Sequence, residues 1–464
     1  MQSLLLERAT GRLSVLDFAS TYTESLYSQL KQVTRNVFPS QCHSGAVNSL
    51  SLEQLDCRYM LSGCADSSIK LWDLRSDETE GSGGESAINE DDGSSSGDDS
   101  GNPAGDNDES NQGKSIHWSS PGPYRCLATI PRRSGHEYGV SSVQWWPQDT
   151  GMFLSSSFDH TVKVWDTNSL QVAHTFDMDN RVYAIDVCSH KQNEFSSQAL
   201  VAVASDQPFI RLLDLRTASS AHTLLGHKGK TLSVAWHPIN SYLLASGGYD
   251  GEAKVWDIRR SKSCVCRLDM TKTNVREAKV DALNLGSTLV KAHSGPVNAL
   301  TWDEAGQLLY TSGNDDKIRV WDMAATMAPP VNKLVNFGPL TRNKYLQNLP
   351  IVLSPCNETE VQHLLFASDS GDVLVFRAVD GKLVSRLLRS GSKNNVRTAS
   401  IVYGGPWTST YYCGTMDGQI LTWRGGGIEE EEEREEIDDV KETEEVAISR
   451  DDLFDDPYFR LVKS

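Results

Sequence analysis

Histidine, a hydroxyl residue and aspartate recur together along this 464-residue chain, the residue types that nucleophilic acyl chemistry combines. The sets are His43, Ser62, Asp66; His136, Ser155, Asp159; His227, Ser246, Asp250; and His293, Thr311, Asp315. In a hydrolase the imidazole takes the hydroxyl proton while the carboxylate orients the imidazole. One site needs one nucleophile, however, and here the set appears four times, each time followed by tryptophan: Trp72, Trp165, Trp256 and Trp321. Asp precedes Trp by six residues in every copy, and His precedes Asp by 23, 23, 23 and 22. A repeated polar set of this kind predicts a buried hydrogen-bond network. Asp accepts from imidazole, the hydroxyl bridges, and the indole N–H donates, because buried polar groups require partners.

The elements that carry these residues repeat as well. Ile69-Lys70-Leu71-Trp72-Asp73 returns as Val162-Lys163-Val164-Trp165-Asp166, as Lys254-Val255-Trp256-Asp257 and as Ile318-Arg319-Val320-Trp321-Asp322. Self-similarity at a spacing in the forties, ending in Trp-Asp, predicts the four-stranded blades of a WD-repeat β-propeller. Short apolar runs bounded by turn residues, such as Tyr59-Met60-Leu61-Ser62-Gly63, read as strands. Degenerate copies over 200–214, 364–376 and 411–423 raise the count to seven blades. The fold class expected is all-β, a closed seven-bladed ring with an N-terminal helical extension. Closure removes sheet edges, and residues 33–38 are the expected source of the last blade's outer strand.

Acid is concentrated outside the repeats. The net charge is −18, yet residues 77–110 hold 12 Asp/Glu and no Lys/Arg, and residues 425–464 hold 16 acids against 5 bases. The rest of the chain is mildly basic. Both acidic stretches carry too little apolar surface to offset chain entropy, and disorder is expected for them. The chain thus divides into an N-terminal segment 1–32, a propeller 33–424 interrupted by the acidic insertion 77–113, and the acidic tail 425–464. Ser95 and Ser96 each have Asp three residues on, the pattern that acid-directed kinases prefer. Leu453, Phe454, Tyr458 and Phe459 place apolar side chains among acids, as a short docking motif does.

Other chemistry is not encoded. Gly229-Lys230-Thr231 lacks the leading glycine of a phosphate loop, since position 224 is Leu. His136-Glu137 has Val140 where a second zinc ligand belongs, and no Gly-x-Ser-x-Gly elbow occurs. Arg132-Arg133 and Arg259-Arg260 are isolated pairs, too sparse to track a phosphate backbone, so sequence-specific nucleic-acid binding is not expected. Nine cysteines without a CxxC pair suit buried thiols in a reducing compartment, with no metal and no cofactor. No apolar run approaches the length of a membrane span. The expectation is a non-enzymatic platform.

One stretch is more specific than the repeat. Residues 141–170, with Trp145-Trp146-Pro147 leading into Ser155 and Trp165-Asp166, resemble the second blade of the Cockayne syndrome group A family. The resemblance extends to Gly45-Ala46-Val47-Asn48-Ser49-Leu50, to Arg58-Tyr59-Met60-Leu61-Ser62-Gly63, to Val255-Trp256-Asp257-Ile258-Arg259-Arg260, to Ala292-His293-Ser294-Gly295 and to the opening helix over residues 1–11. It implies a substrate receptor of a cullin 4–RING ubiquitin ligase in transcription-coupled nucleotide-excision repair, acting in the nucleus as a monomer within a hetero-complex. Implied partners are the damage-binding adaptor, cullin 4 and the RING subunit through it, the stalled RNA polymerase II complex and the Cockayne syndrome group B ATPase. The adaptor contact would fall on the N-terminal helix, with Leu4, Leu5 and Leu6, and on Trp-Asp-x-Arg endings. These are Arg259 with Asp257, Arg75 and, with Trp replaced, Arg216.

Independently of the resemblance, Leu4, Leu5, Leu6, Leu13, Leu16 and Phe18 precede the first blade and exceed what it can bury. A helix bearing them lies either in a partner's groove or back on the propeller's own lower face. Each arginine likewise either meets a partner or pairs with a blade Asp. A second reading of the whole chain is a propeller that binds histones or RNA-processing factors without a ligase. The connections at 258–291 and 324–350 are the candidates for gripping clients, because loops carry function on rigid scaffolds.

Overall fold

A computed structural model describes residues 6, 8–10, 12–33, 38–75, 124–132, 134–188, 199–260, 263–273, 290–324, 330–389, 396–406 and 408–425. The acidic insertion and residues 426–464, with Ser95, Ser96 and the 453–459 motif, lie outside the described residues, as do Leu4 and Leu5. There are seven blades, each a four-stranded antiparallel sheet, and in six of them the strands follow chain order. Blade 1 contains β2 (Val47–Leu52), β3 (Tyr59–Cys64), β4 (Ile69–Asp73) and β5 (Arg125–Ile130). Blade 2 contains β6 (Val140–Trp145) to β9 (Gln171–Asp177), blade 3 β10 (Val182–Val187) to β13 (Ser219–Leu225), and blade 4 β14 (Thr231–Trp236) to β17 (Cys264–Arg267). Blade 5 contains β18 (Val297–Trp302) to β21 (Val331–Asn332), and blade 6 β22 (Ile351–Leu353) to β25 (Leu383–Leu387).

Blade 7 holds β26 (Thr398–Tyr403), β27 (Thr410–Thr415) and β28 (Ile420–Gly425), and its outer strand comes from the other end of the chain. That strand is β1 (Leu30–Gln32), paired as Leu30↔Gly425, Lys31↔Arg424 and Gln32↔Trp423. The expected closing strand at 33–38 is therefore displaced toward the N-terminus. Phe38 is instead buried edge-on against Trp72, with ring centroids 5.3 Å apart, and beside Tyr124 and Tyr412. Phe38 is apolar because of that packing, whereas β1 is too short to show strand periodicity.

Burial follows position in the blade. The second strands are buried along almost their whole length, because neighbouring blades pack on both faces. Outer strands such as β9 alternate exposed and half-buried residues. The inner strands of six blades begin with a β-bulge, as between Val140 and Ser142; β22 is the exception, a strand of three residues. Turns also seat one blade on the next. Gly251, at φ +78°, lies so close to blade 5 that a Cβ there would meet the His293 carbonyl at 2.6 Å.

The N-terminal segment forms helix α1 (Val15–Ser28), capped by the Ser14 side chain, which accepts from the Asp17 N–H at 3.1 Å. Its C-terminal half folds back on the ring. Thr23 and Tyr27 are buried, and Tyr27, Leu26 and Leu30 join the core between blades 6 and 7. Among the described residues no helix is long and apolar enough to cross a membrane.

Candidate functional site

The His-hydroxyl-Asp-Trp residues converge as four interior networks. In blade 2, His136 Nδ1 lies 2.8 Å from Asp159, its Nε2 2.7 Å from Ser155 Oγ, and Trp165 Nε1 donates to the same hydroxyl at 2.7 Å. Blade 5 repeats this with His293–Asp315 at 2.8 Å, His293–Thr311 at 2.8 Å and Trp321 to Thr311 at 2.9 Å. In blade 4 the distances are 3.3 Å to Asp250, 2.7 Å to Ser246 and 2.8 Å from Trp256 to Ser246.

Blade 1 departs from the expected geometry. His43 Nε2 meets Ser62 at 2.7 Å and Trp72 donates to Ser62 at 2.9 Å, but Nδ1 is 3.9 Å from Asp66. Ser68 intervenes, 2.9 Å from Nδ1 and 2.5 Å from Asp66, and Asp66 turns toward Ser44 and Ser68.

These hydroxyls cannot act as nucleophiles on a substrate. Ser62, Ser155, Ser246 and Thr311 are fully buried between imidazole and indole, so no carbonyl can reach them. Electrostatics fits a structural role. Burial pushes the Asp250 carboxyl up, but the His227 hydrogen bond and charge bring it down to about 2. Burial, reinforced by nearby Lys70, holds His43 down at about 4.

His43, Cys64 and Asp66 bring one potential metal-ligand atom each to within 4.8 Å of one another. His43 and Asp66 are already engaged with Ser62, Ser68 and Ser44, and burial raises the Cys64 thiol to about 12. None of the nine cysteines forms a disulfide.

A further tie was visible in the repeated phrase but not assigned. The lysine two residues before Trp reaches the carbonyl of the residue before His: Lys70 to Cys42 at 2.5 Å, Lys163 to Gly135 at 2.7 Å, and Lys254 to Gly226. In blade 5 Arg319 takes that position and bonds Asp315 at 2.8 Å.

The opposite, lower face carries the ends of the third strands. The residue paired there with the first residue of the second strand is Asp in five blades: Asp73, Asp166, Asp214, Asp257 and Asp322. In blades 6 and 7 it is Arg377 and Arg424. Helix α1 docks on those two blades. Glu24 lies 3.6 Å from both Arg377 and Lys382, and the Tyr27 carbonyl accepts from Ser385 at 2.9 Å. The helix's other end stays uncovered, with Val15 60% and Leu16 62% exposed, and Leu6 before it 67% exposed.

The three arginines share this lower face but belong to separate blades. Arg259 grips Asp257 through two hydrogen bonds of 3.0 and 2.9 Å and stacks 4.5 Å over Tyr242, while remaining 56% exposed. Arg216 reaches Asp214 at 3.4 Å and is 65% exposed. Arg75 donates its backbone N–H to Asp73, whose carboxylate is taken by Arg58 at 2.6 Å. The blade carboxylates thus hold two of the arginines from below, leaving the guanidinium edges outward.

The WD domain, G-beta repeat family matches residues 34–73, 124–166, 218–257 and 285–322, which are the four segments ending in Trp-Asp. With seven blades and these repeats in place, the class is settled.

The chain is a WD-repeat protein.

Among WD-repeat relatives, the WD repeat-containing protein ATCSA-1 of Arabidopsis thaliana is 27% identical over 95% of this chain and 99% of its own length. Radiation-sensitive protein 28 of Saccharomyces cerevisiae is 28% identical over 55% of this chain and 52% of its own. The ribosome biogenesis protein WDR12 homolog of Drosophila mojavensis is 33% identical, but over 28% of this chain only. The propeller is a scaffold fold, and no catalytic family is indicated.

Proposed function

We propose that this WD-repeat protein is the substrate receptor of a cullin 4–RING ubiquitin ligase acting in transcription-coupled nucleotide-excision repair in the nucleus. The observation that carries the reading is the half-docked helix. α1 is pinned through Tyr27 and Glu24 to blades 6 and 7 at the lower face that also carries Arg75, Arg216 and Arg259, yet its Val15 and Leu16, and Leu6 before it, stay exposed to solvent. An amphipathic helix fixed at one end and bare at the other suits insertion into a partner groove. The near full-length likeness to ATCSA-1 and the partial likeness to Radiation-sensitive protein 28 support the same assignment.

On this reading the chain makes and breaks no bonds. The lower face holds the damage-binding adaptor and, through it, cullin 4 and the RING subunit. The upper face holds the stalled RNA polymerase II complex or the group B ATPase. Holding both raises the effective concentration of charged ubiquitin carriers around client lysines. The alternative, a histone or RNA-processing scaffold, draws only on the WDR12 likeness, which covers between 28% and 40% of the chain.

The deciding experiment deletes residues 1–20 and measures capture of the cullin 4 adaptor by the otherwise intact chain. Capture should be lost; undiminished capture would sink the ligase reading.

A further inference from the structure

Large apolar side chains are exposed at many points of the described residues, Leu225 and Val379 most of all, and among them are two groups. One is the N-terminal group above; the other lies on the upper face around the connection from blade 5 to blade 6. There Leu334 is 66% exposed, Leu340 41%, Tyr345 58%, Leu346 37% and, alongside on blade 7, Met416 39%.

This second group sits on a fixed platform. Pro350 offers no N–H to the ladder, β22 starts only at Ile351, and the residues before it leave the blade. They are held instead by turn carboxylates: Asp316 accepts from the Asn343 N–H at 2.7 Å, and Asp369 from the Lys344 N–H at 2.5 Å. Asn343 and Asn298 exchange side-chain hydrogen bonds in the interior. Gln347 then crosses the ring to Asn48 of blade 1 at 3.1 Å. The segment therefore spans the mouth of the central channel.

Its outward chemistry is apolar, with Lys344 and Lys317 exposed and Arg342 paired to the partly exposed Asp316 at 3.2 Å. Arg397 stacks 4.5 Å over Tyr345 and accepts the Met416 N–H on its carbonyl, which joins the two blades into one surface. Arg342 and Lys344 flank Tyr345 and are exposed, whereas Asp369 is almost wholly buried at its side chain, 5% exposed, and occupied by Arg397 and Lys344. A cleft of about 510 Å³ continues the surface outward, lined by Leu334, Phe337, Lys317 and Arg342 together with Asp315 and Asp316, whose carboxylates are taken by Arg319 and Arg342. Such a surface suits an acidic segment with aromatic and aliphatic anchors.

We propose that residues 451–459 of this same chain, outside the described structure, dock on this upper-face patch. The segment reads Asp451-Asp452-Leu453-Phe454-Asp455-Asp456-Pro457-Tyr458-Phe459, four carboxylates interleaved with four large apolar side chains. Its charges complement Lys344 and Lys317, which no described carboxylate side chain pairs, and its apolar residues match Tyr345, Leu346 and Met416. Length permits the contact. β28 ends at Gly425 on the lower face, and the intervening residues 426–450 can span roughly 80 Å when extended, against roughly 20 Å for the height of a blade. The tail then covers in cis the face that the platform offers to other proteins, and a competitor must displace it.

The test compares amide hydrogen exchange at Tyr345 and Leu346 in the full chain and in a full-length variant carrying Leu453→Ser, Phe454→Ser and Tyr458→Ser. Tethering supplies an effective concentration on the order of 1 mM, so a site of about 100 μM affinity is filled roughly ten to one. Exchange in the unaltered chain is then about tenfold slower than in the variant, and the difference shrinks in high salt. A synthetic peptide of residues 451–459, added to the variant, restores the slow rate. A scrambled peptide does not, and Lys344→Glu with Tyr345→Ser abolishes the response. Equal exchange in the two full-length chains overturns the proposal, and so does equal protection by the scrambled peptide. Slow exchange seen only when another protein is added gives the patch to that partner and also overturns it. Adaptor capture by the 1–20 deletion is independent of all these readouts.

Discussion

Tyr27 of α1 lies face to face with His363 of blade 6, ring centroids 4.1 Å apart and planes 4° from parallel, while its hydroxyl meets that of Tyr411 in blade 7 at 2.8 Å. One side chain thus joins the helix to two blades, three residues before β1 begins to close the ring. Helix placement and ring closure are consequently coupled.

Truncating that side chain should be costly. Tyr27→Ala removes a fully packed aromatic and is expected to destabilise the chain by about 3 kcal/mol or more. Tyr27→Phe, which removes only the hydrogen bond to Tyr411, should cost about 1 kcal/mol. Chemical denaturation of both variants checks the ratio; equal losses would mean that α1 contributes little to the closed ring.

The same contact makes stability pH-dependent. Burial holds His363 down at about 4, and His43 likewise, against an ordinary value of about 6.5. Between those values the unfolded chain binds protons that the folded chain refuses. The contribution of these histidines is therefore full above pH 6.5 and falls as the pH drops toward 4, by about 1.4 kcal/mol per pH unit for each, while Asp186, which burial raises to about 6, offsets one of them below that pH. Asp250, depressed to about 2, titrates below this window. Melting curves from pH 7.5 to 5 should show the decline, and His363→Phe, which keeps the stack, should flatten it. An unchanged slope in that variant would remove His363 as a source.

Charge inversion on the lower face predicts a swap. Arg377→Asp installs the residue that five other blades carry there and sets it against Glu24, 3.6 Å from the original guanidinium. The expected loss is about 1 kcal/mol, since both groups are partly exposed, with faster hydrogen exchange in α1. Adding Glu24→Arg should restore the exchange rate; failure to do so would place the helix's anchorage in Tyr27 alone.

The interior networks should behave as structure. Ser155→Ala leaves the His136 and Trp165 nitrogens facing an apolar methyl, and Thr311→Val does the same to His293 and Trp321. Each is expected to cost about 1–3 kcal/mol. A variant that melts like the parent would show that the hydroxyl does not bridge.

Arg259 separates binding from folding. Its guanidinium edge is exposed beyond Asp257, so Arg259→Lys, which keeps a cation against the buried carboxylate but loses the two-pronged geometry, should lower capture of the cullin 4 adaptor with only a small fall in melting temperature. A change in melting without a change in capture would confine Arg259 to its internal ion pair.

What the sequence determined by itself is the repeating unit. The spacing of His43, Asp66 and Trp72 and its three further copies follows from turn chemistry inside one blade, so periodicity alone specified four blades and their buried networks. Blades 3, 6 and 7 were legible only as worn copies, with Leu213 and Phe376 in place of Trp and the Asp417–Trp423 spacing kept.

Tertiary structure decided the rest. The closing strand is three residues long and is chosen by a partner some 390 positions away, a pairing that local pattern cannot contain. The replacement of Asp by Arg377 and Arg424 acquires meaning only when α1 lands on those blades, and Ser68 stands between His43 and Asp66 in the blade 1 network. Gln347 meets Asn48 because the ring brings blades 6 and 1 around a common axis. Contacts within a blade are written in spacing; contacts between blades exist only once the ring has closed.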